Sequence, residues 1–584
     1  MNFSQGRNRL LIVLGVAVVA SLVALYLSMP ERGVPAGAPT LDEMATEIGS
    51  PIMDHLYKGH VPNRSGEVMT IPKPHSFIIG NWDLTTLGSA TPFLGSSHPN
   101  PWNYTSRIPL IFYGPGQIKE GQEIRSTVDI ASVAPTYAAM VGMDALDTDG
   151  AVLSEALVSD AEPPRAIVTV VIDGGGWNVL QEHPDAWPTI QELRDGGTDY
   201  TNATIGSAPA ITGALHATFG TGVYPNTHGI PGNQMRGPDG KNTDAWQQNA
   251  DPTYLMVPTM SELWDEQNGN EPVIATVSYE GWHLGMIGHG AQREGGDKDI
   301  AVLWEAEDNA WWINEDFYTL PSYLQETDLE QLEEYEDDLD ERDGLADETW
   351  FGNTLEELQE PVIRPGTSAF VRFTGDAIVD IMRNEEIGKD KSTDMFWIEM
   401  KMPDYAGHRW NMVSPEEEDV LRAVDTEIAR LKAVLDEQVG AGRYVLAISA
   451  DHGQEPLPEL HGGWRINSNE LLADIESRFG NVVEKVTTVD VFLEQDAIEQ
   501  GDVDLEDVAR FIGSYTLGDN ISGGAPGADR VPEGRMDELL FAGAFPTGYF
   551  QSLTPDKIES FGEGIYPEGV FDVDQSLFPP LGEI

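Results

Sequence analysis

Three short apolar runs in this chain each end at a carboxylate, and few folds accommodate that pattern. Arg165-Ala-Ile-Val-Thr-Val-Val-Ile-Asp-Gly-Gly-Gly176 is β-branched and too short for a helix. It reads as a strand buried on both faces that stops at Asp173 and a glycine turn. Met395-Phe-Trp-Ile-Glu-Met runs into Pro403-Asp-Tyr-Ala-Gly-His408, and Tyr444-Val-Leu-Ala-Ile-Ser-Ala runs into Asp451-His452-Gly453. Buried strands of this kind belong to a mostly parallel sheet covered by helices on both faces. In such sheets, ligands bind at the carboxyl ends of the strands. The expectation is therefore an α/β fold, three-layered and doubly wound, with Asp173, Asp404, His408, Asp451 and His452 at one edge. Mixed Asp and His ligation suits zinc better than magnesium, which prefers oxygen ligands alone.

Taken singly, each piece has a plainer meaning. Asp-Gly after a strand is a common turn, Asp404 and His408 are spaced as a surface pair on a helix, and Asp-His-Gly can be a capped turn. Their occurrence together, in one chain order, favours a site.

A second feature supplies a nucleophile. The stretch Ala203-Thr-Ile-Gly-Ser-Ala-Pro-Ala-Ile-Thr-Gly-Ala-Leu-His-Ala-Thr-Phe-Gly220 places Thr212 where a small-residue turn enters a short helix. Unpaired backbone N–H groups at a helix start can hold an anion such as phosphate. A threonine hydroxyl needs a base or a metal to become nucleophilic at neutral pH, and the alternative role for Thr212 is a helix cap.

These residues resemble the alkaline phosphatase superfamily, and within it the type I phosphodiesterase/nucleotide pyrophosphatase branch, over most of residues 64–465. The resemblance implies two zinc ions. One would be held by Asp173, Thr212, Asp451 and His452, with Thr212 also the nucleophile, the other by Asp404 and His408. Asn233, in Gly232-Asn-Gln-Met235, would bind a phosphoryl oxygen. It implies hydrolysis of a phosphodiester or nucleotide pyrophosphate through a phospho-threonine, with a small phosphodiester or nucleotide as substrate. The alternatives are a phosphate monoesterase or phosphomutase-like relative on the same zinc pair, and a non-catalytic metal-binding surface protein. Sulfatase chemistry is disfavoured, because the Cys/Ser-x-Pro-x-Arg signature of those relatives is missing and the chain has no cysteine.

Two departures from the family pattern matter. The last zinc histidine normally lies in a C-terminal segment, and nothing after Gly463 matches it. Ser97-His-Pro-Asn-Pro-Trp-Asn-Tyr104, Ile108-Pro-Leu-Ile-Phe-Tyr-Gly-Pro-Gly116 and Asp129-Ile-Ala-Ser-Val-Ala-Pro-Thr136 resemble that segment moved ahead of Asp173. The chain thus reads as circularly permuted, with His98 as the third ligand beside Asp404 and His408, and His461 as its rival. Second, monoesterase relatives carry Lys-x-Arg after a strand, where this chain has Tyr279-Glu280-Gly281 after Pro272-Val-Ile-Ala-Thr-Val-Ser278. A diester is the substrate expected there, since Glu280 facing the site would repel a dianion. Trp282, Trp304, Trp311 and Trp312 offer stacking surfaces for a nucleobase, or simply packing.

The chain of 584 residues carries 97 acidic against 34 basic side chains, a formal charge of −63. Such a surface repels nucleic-acid backbones and suggests adaptation to high salt, where repulsion is screened. Arg7 and Arg9 precede the uncharged run Leu10–Met29, long enough to span a bilayer with the remainder outside the cytoplasm. A cleaved signal peptide, and hence secretion, is the alternative. The organisation read from the sequence is an anchor or signal (1–29) and a linker with a short helix over Leu41–Tyr57 (30–63). The permuted segment (64–160) and the catalytic core (161–540) follow, then a tail (541–584) with no assignable period. The core includes an acidic cap near 300–350, where Glu326–Glu348 reads as a solvated helix without EF-hand calcium spacing. Residues 466–515 read as a continuation of the main sheet. Oligomeric state is not legible.

Overall fold

The computed structural model describes residues 33–79, 95–143, 145–247, 249–521 and 533–565. The apolar run Leu10–Met29 and the end of the tail lie outside them. Among the described residues no helix is long and apolar enough to cross a membrane.

The main sheet has nine strands. Across it lie Ala310–Trp312, Ile300–Glu305, Ile274–Val277, Asp394–Met400, Ala166–Ile172, Tyr444–Ser449, Leu110–Tyr113, Thr198–Tyr200 and Gln122–Ile124. The five strands from Ile300–Glu305 to Tyr444–Ser449 are mutually parallel. Leu110–Tyr113 runs antiparallel to Tyr444–Ser449, pairing Tyr113 with Leu446 and Leu110 with Ser449.

The central strand shows why both faces must be covered. Ala166, Val168, Val170 and Ile172 enter one apolar cluster, whereas Ile167 and Val171 enter another on the opposite face. Helices Pro188–Gly196, Ser368–Asn384 and Pro415–Gln438 build the first face, and Val133–Val141, Thr212–Thr221 and Met260–Gln267 build the second. The long helix Pro415–Gln438 starts cleanly because Ser414 Oγ accepts the Glu417 N–H at 3.1 Å, with Pro415 and three glutamates in the first turn. The expected three-layer, mostly parallel α/β architecture is what the chain forms.

Several local expectations are corrected. Leu41–Tyr57 is not one helix but two, Leu41–Ile48 and Ser50–Gly59, separated by Gly49 at φ +95°. Residues 466–515 do not extend the main sheet. Val483–Val486 and Asp490–Leu493 join Val68–Pro72 and Phe541–Pro546 in a separate antiparallel four-stranded sheet with its own apolar core. The tail therefore begins with a buried strand, Phe541–Pro546. In the acidic segment the helix is Leu329–Asp337, and it is not wholly solvated: Leu332 is buried, and buried Glu336 pairs with Arg364. Trp304 and Trp311 pack in the core against Phe370 and Phe373, so they stack on protein rings rather than present a free surface.

Candidate metal centre and nucleophile

Every residue singled out after a strand sits at the carboxyl edge of the main sheet. Asp173 follows Ile172 directly, and Gly174 then takes φ +70°, which lets the chain turn beneath Asp404; a Cβ there would lie 3.1 Å from the Asp404 Cα. The Gly174 N–H donates to Asp451 Oδ1 at 3.2 Å, and the His452 N–H donates to the same oxygen at 2.9 Å. One Asp451 oxygen is thus consumed in orientation, while Oδ2 has no hydrogen-bond partner.

Two of the ligand groups foreseen from sequence converge. His98, Asp404 and His408 form one group able to hold a metal ion, and Asp173, Asp451 and His452 form another. In the first, His98 Nε2 and His408 Nε2 lie 3.6 and 3.3 Å from Asp404 Oδ1. The opposite ring nitrogens are occupied: His98 Nδ1 is 2.7 Å from the Ala210 carbonyl and His408 Nδ1 is 2.8 Å from the Ser96 carbonyl. An Nδ1–H donated to a carbonyl leaves the Nε2 lone pair facing the carboxylate, the tautomer a metal ligand needs. Burial pushes His98 down to about 4, which keeps its ring neutral.

The segment carrying His98 is stitched to the site by backbone. The Gly95 and Ser96 N–H groups donate to the His408 and Gly407 carbonyls, and the Glu455 N–H donates to the Ser97 carbonyl. His98 also stacks on His452 at 3.7 Å between ring centroids. Its rival His461 lies apart, stacked on His75, and belongs to no metal-competent group among the described residues.

In the second group, His452 Nε2 lies 3.4 Å from Asp173 Oδ1 and 3.2 Å from Asp451 Oδ2. These three atoms and Asp404 Oδ1 are buried without hydrogen-bond partners. Buried carboxylates are ordinarily paired or bound to metal, so the donor set fits divalent ions.

Thr212 opens the helix Thr212–Thr221 and is buried. The Gly213 N–H that follows it donates to Asn233 Oδ1 at 2.8 Å. Asn233 therefore stands beside Thr212 as expected, but that N–H is engaged and is not a free donor for an oxyanion.

Four residues of the site escaped the sequence reading. His216, one turn after Thr212, and His283 form a further metal-competent group with Asp173, and the His283 Nε2 lies 3.5 Å from Asp173 Oδ2 and 3.6 Å from Glu399 Oε1. Both imidazole Nε2 atoms and both Glu399 oxygens lack hydrogen-bond partners. The fourth is Lys401, buried, whose Nζ lies 2.8 Å from Asp173 Oδ2 and 2.7 Å from Asp404 Oδ2. Burial opposes its charge, yet Asp173 and Asp404 hold its pKa well above the ordinary lysine value. Glu399 was visible as the single charge in the apolar run Met395–Met400, and Lys401 as the first residue beyond it. Two isolated histidines gave no signal of their own. Glu280 is pushed up to about 7 by burial, offset in part by Lys401, so it carries less negative charge than its sequence position implies.

The profile of the family "Type I phosphodiesterase / nucleotide pyrophosphatase" matches residues 167–515. The "Calcium-transporting ATPase" of Myroides odoratus is 24% identical over 403 residues, 59% of this chain and 72% of that one. "Alkaline phosphatase PafA" of Elizabethkingia meningoseptica is 22% identical over 401 residues, 60% of this chain and 72% of that one. The crystal structure of wild-type alkaline phosphatase PafA superposes with a TM-score of 0.51 at 18% identity, covering 60% of this chain and 76% of that one, a likeness of fold. With its profile match spanning more than half the chain, this protein belongs to the type I phosphodiesterase/nucleotide pyrophosphatase family of the alkaline phosphatase superfamily and is a phosphoric ester hydrolase.

Proposed function

We propose that the protein hydrolyses phosphodiester or nucleotide pyrophosphate bonds through a phospho-Thr212 intermediate, with two zinc ions held by His98, Asp404 and His408 and by Asp173, Asp451 and His452. The observation that carries this reading is the meeting of those two groups at one sheet edge with the helix that begins at Thr212. When bound, the metal pair supplies Lewis acidity for the attacking and leaving oxygens. The Thr212 hydroxyl proton passes to solvent as its Oγ1 bonds to phosphorus, and the ester oxygen departs with the electron pair of its P–O bond and takes up a proton from water. Water then attacks the phospho-threonine and restores the hydroxyl. Asn233 Nδ2 donates to a non-bridging oxygen as charge gathers there. The position of the segment containing His98 and Leu110–Tyr113, packed on the catalytic strands although it precedes them in the chain, supports a permuted order.

The diester preference rests on Ser278-Tyr279-Glu280, which places no cation after Ile274–Val277, and on Lys401, whose ammonium is committed to Asp173 and Asp404. Monoester hydrolysis is the second reading, favoured by the relative named alkaline phosphatase. Turnover of bis-p-nitrophenyl against mono-p-nitrophenyl phosphate separates the two, and a higher kcat/KM for the monoester would overturn the first. The uncharged run Leu10–Met29 and the acidic composition support a membrane-anchored enzyme with its catalytic domain outside the cytoplasm in a saline setting.

A further inference from the structure

Away from the catalytic edge, three carboxylates meet without a counter-charge. Asp265 lies on the helix Met260–Gln267, Asp299 immediately precedes the strand Ile300–Glu305, and Asp297 is the exposed member of the set. One oxygen from each falls within 4.8 Å of the others. Asp265 is only 4% exposed, and its Oδ1 is buried with no hydrogen-bond partner, so an unsatisfied carboxylate is turned into the cluster. The nearby cations are engaged elsewhere. Arg293 forms a two-pronged pair with Glu266, and Lys298 donates to the Glu315 carbonyl. Burial and the neighbouring carboxylates Asp297 and Glu266 drive Asp265 up to about 7, and Asp299 is driven well above its usual range by burial, Asp265 and Asp297.

A buried carboxylate with neither donor nor cation is costly, and three oxygens with no nitrogen or sulfur among them are hard ligands. We propose that Asp265, Asp297 and Asp299 bind one calcium ion, separate from the phosphoester site, with water completing its shell. The ion ties the segment 287–299 to the helix Met260–Gln267. That segment leads from Gly281–Met286, which carries His283, back into the sheet, and its other side-chain ties to the neighbouring helix region include Thr259 to the Ile287 carbonyl, Arg293–Glu266, His289–Glu262 and Asn270 to the Gly295 carbonyl. Calcium binding here would stabilise the wall of the catalytic pocket without touching substrate.

The test uses the full chain loaded with zinc, at fixed ionic strength set with NaCl so that diffuse screening of the acidic surface is constant. Calcium chloride should bind with a one-to-one saturable isotherm and raise the apparent melting temperature, and magnesium chloride should do so less. Asp299→Asn and the milder, surface-exposed Asp297→Asn should both lose the saturable calorimetric signal and the melting shift, with zinc content and phosphodiester turnover retained. Loss of folding in Asp299→Asn leaves Asp297→Asn as the deciding variant. A wild-type chain with no saturable calcium binding overturns the proposal, as does an Asp297→Asn chain that binds calcium as the wild type does.

Discussion

Replacing Lys401 with methionine tests the charge balance of the site directly. The Lys401 ammonium contacts two buried carboxylates, 2.8 Å from Asp173 Oδ2 and 2.7 Å from Asp404 Oδ2. At an effective dielectric of about 20, each contact is worth roughly 6 kcal/mol of gross Coulomb energy. Most of that offsets the cost of burying the three charges. The net effect of deleting one member of such a network is therefore about 3–5 kcal/mol of destabilisation in the metal-free protein. Methionine keeps nearly the same length and stays apolar, so packing changes little. Bound divalent ions perform the same neutralisation, and without the ammonium they meet less repulsion. The variant should therefore melt about 2–4 °C below wild type in chelator and recover most of the difference with zinc, giving a larger metal-induced rise. Thermal scans at one fixed rate, with and without chelator, measure both quantities. A metal-free variant melting with wild type, and an unchanged rise on adding zinc, would refute the assignment of Lys401 as the internal counter-charge.

Thr212→Ala should cut phosphodiester turnover by several orders of magnitude while both metal groups keep their ions, and near-wild-type turnover would remove the covalent route. His98→Ala should lower zinc content from two toward one per chain, whereas His461→Ala should leave it unchanged, as elemental analysis will show; the opposite pattern would make the N-terminal segment structural only. Asn233→Ala should lower kcat more than it raises KM, because its amide acts on charge that develops in the transition state, and an effect confined to KM would contradict that role. The melting temperature should climb from dilute buffer to molar NaCl, where screening contracts to about 3 Å, and a flat curve would detach the −63 charge from salt adaptation.

Legibility from sequence followed chemistry at strand ends. Asp173, Asp404 and Asp451 could be found because a charged residue and a glycine or proline interrupt runs that have no other reason to stop. His98 could be found only through resemblance, since the strand that positions its segment pairs with Tyr444–Ser449 far along the chain. His216 lies in a helix of small residues with no polar face, all of it buried, so its helical spacing carries no signal. Phe541–Pro546 contains Ala, Gly and Ala between its aromatics and does not alternate, because both of its faces are buried; a period-two search passes over it. Residues 466–515 have recognisable strands, but which sheet they enter depends on Val68–Pro72 and Phe541–Pro546, a pairing that no local window contains.

The antiparallel pairing of Leu110–Tyr113 with Tyr444–Ser449 sets the order in which the enzyme can be assembled. The Ser449 hydroxyl donates to the Pro109 carbonyl across 340 positions of chain. A ribosome finishes the His98 segment early, and Leu110–Tyr113 finds one neighbour, Thr198–Tyr200, soon afterwards, yet its other edge is filled only once Tyr444–Ser449, the last of the three strands that lead to Asp173, Asp404 and Asp451, has emerged. Loop closure of this span costs entropy before any contact repays it, and folding dominated by such distant contacts is slow. Until then Leu110–Tyr113 keeps one open edge, the condition in which chains pair wrongly with one another. Yield on refolding from denaturant should therefore fall steeply as protein concentration rises, and the dense negative charge on the chain acts against that failure by repulsion between chains.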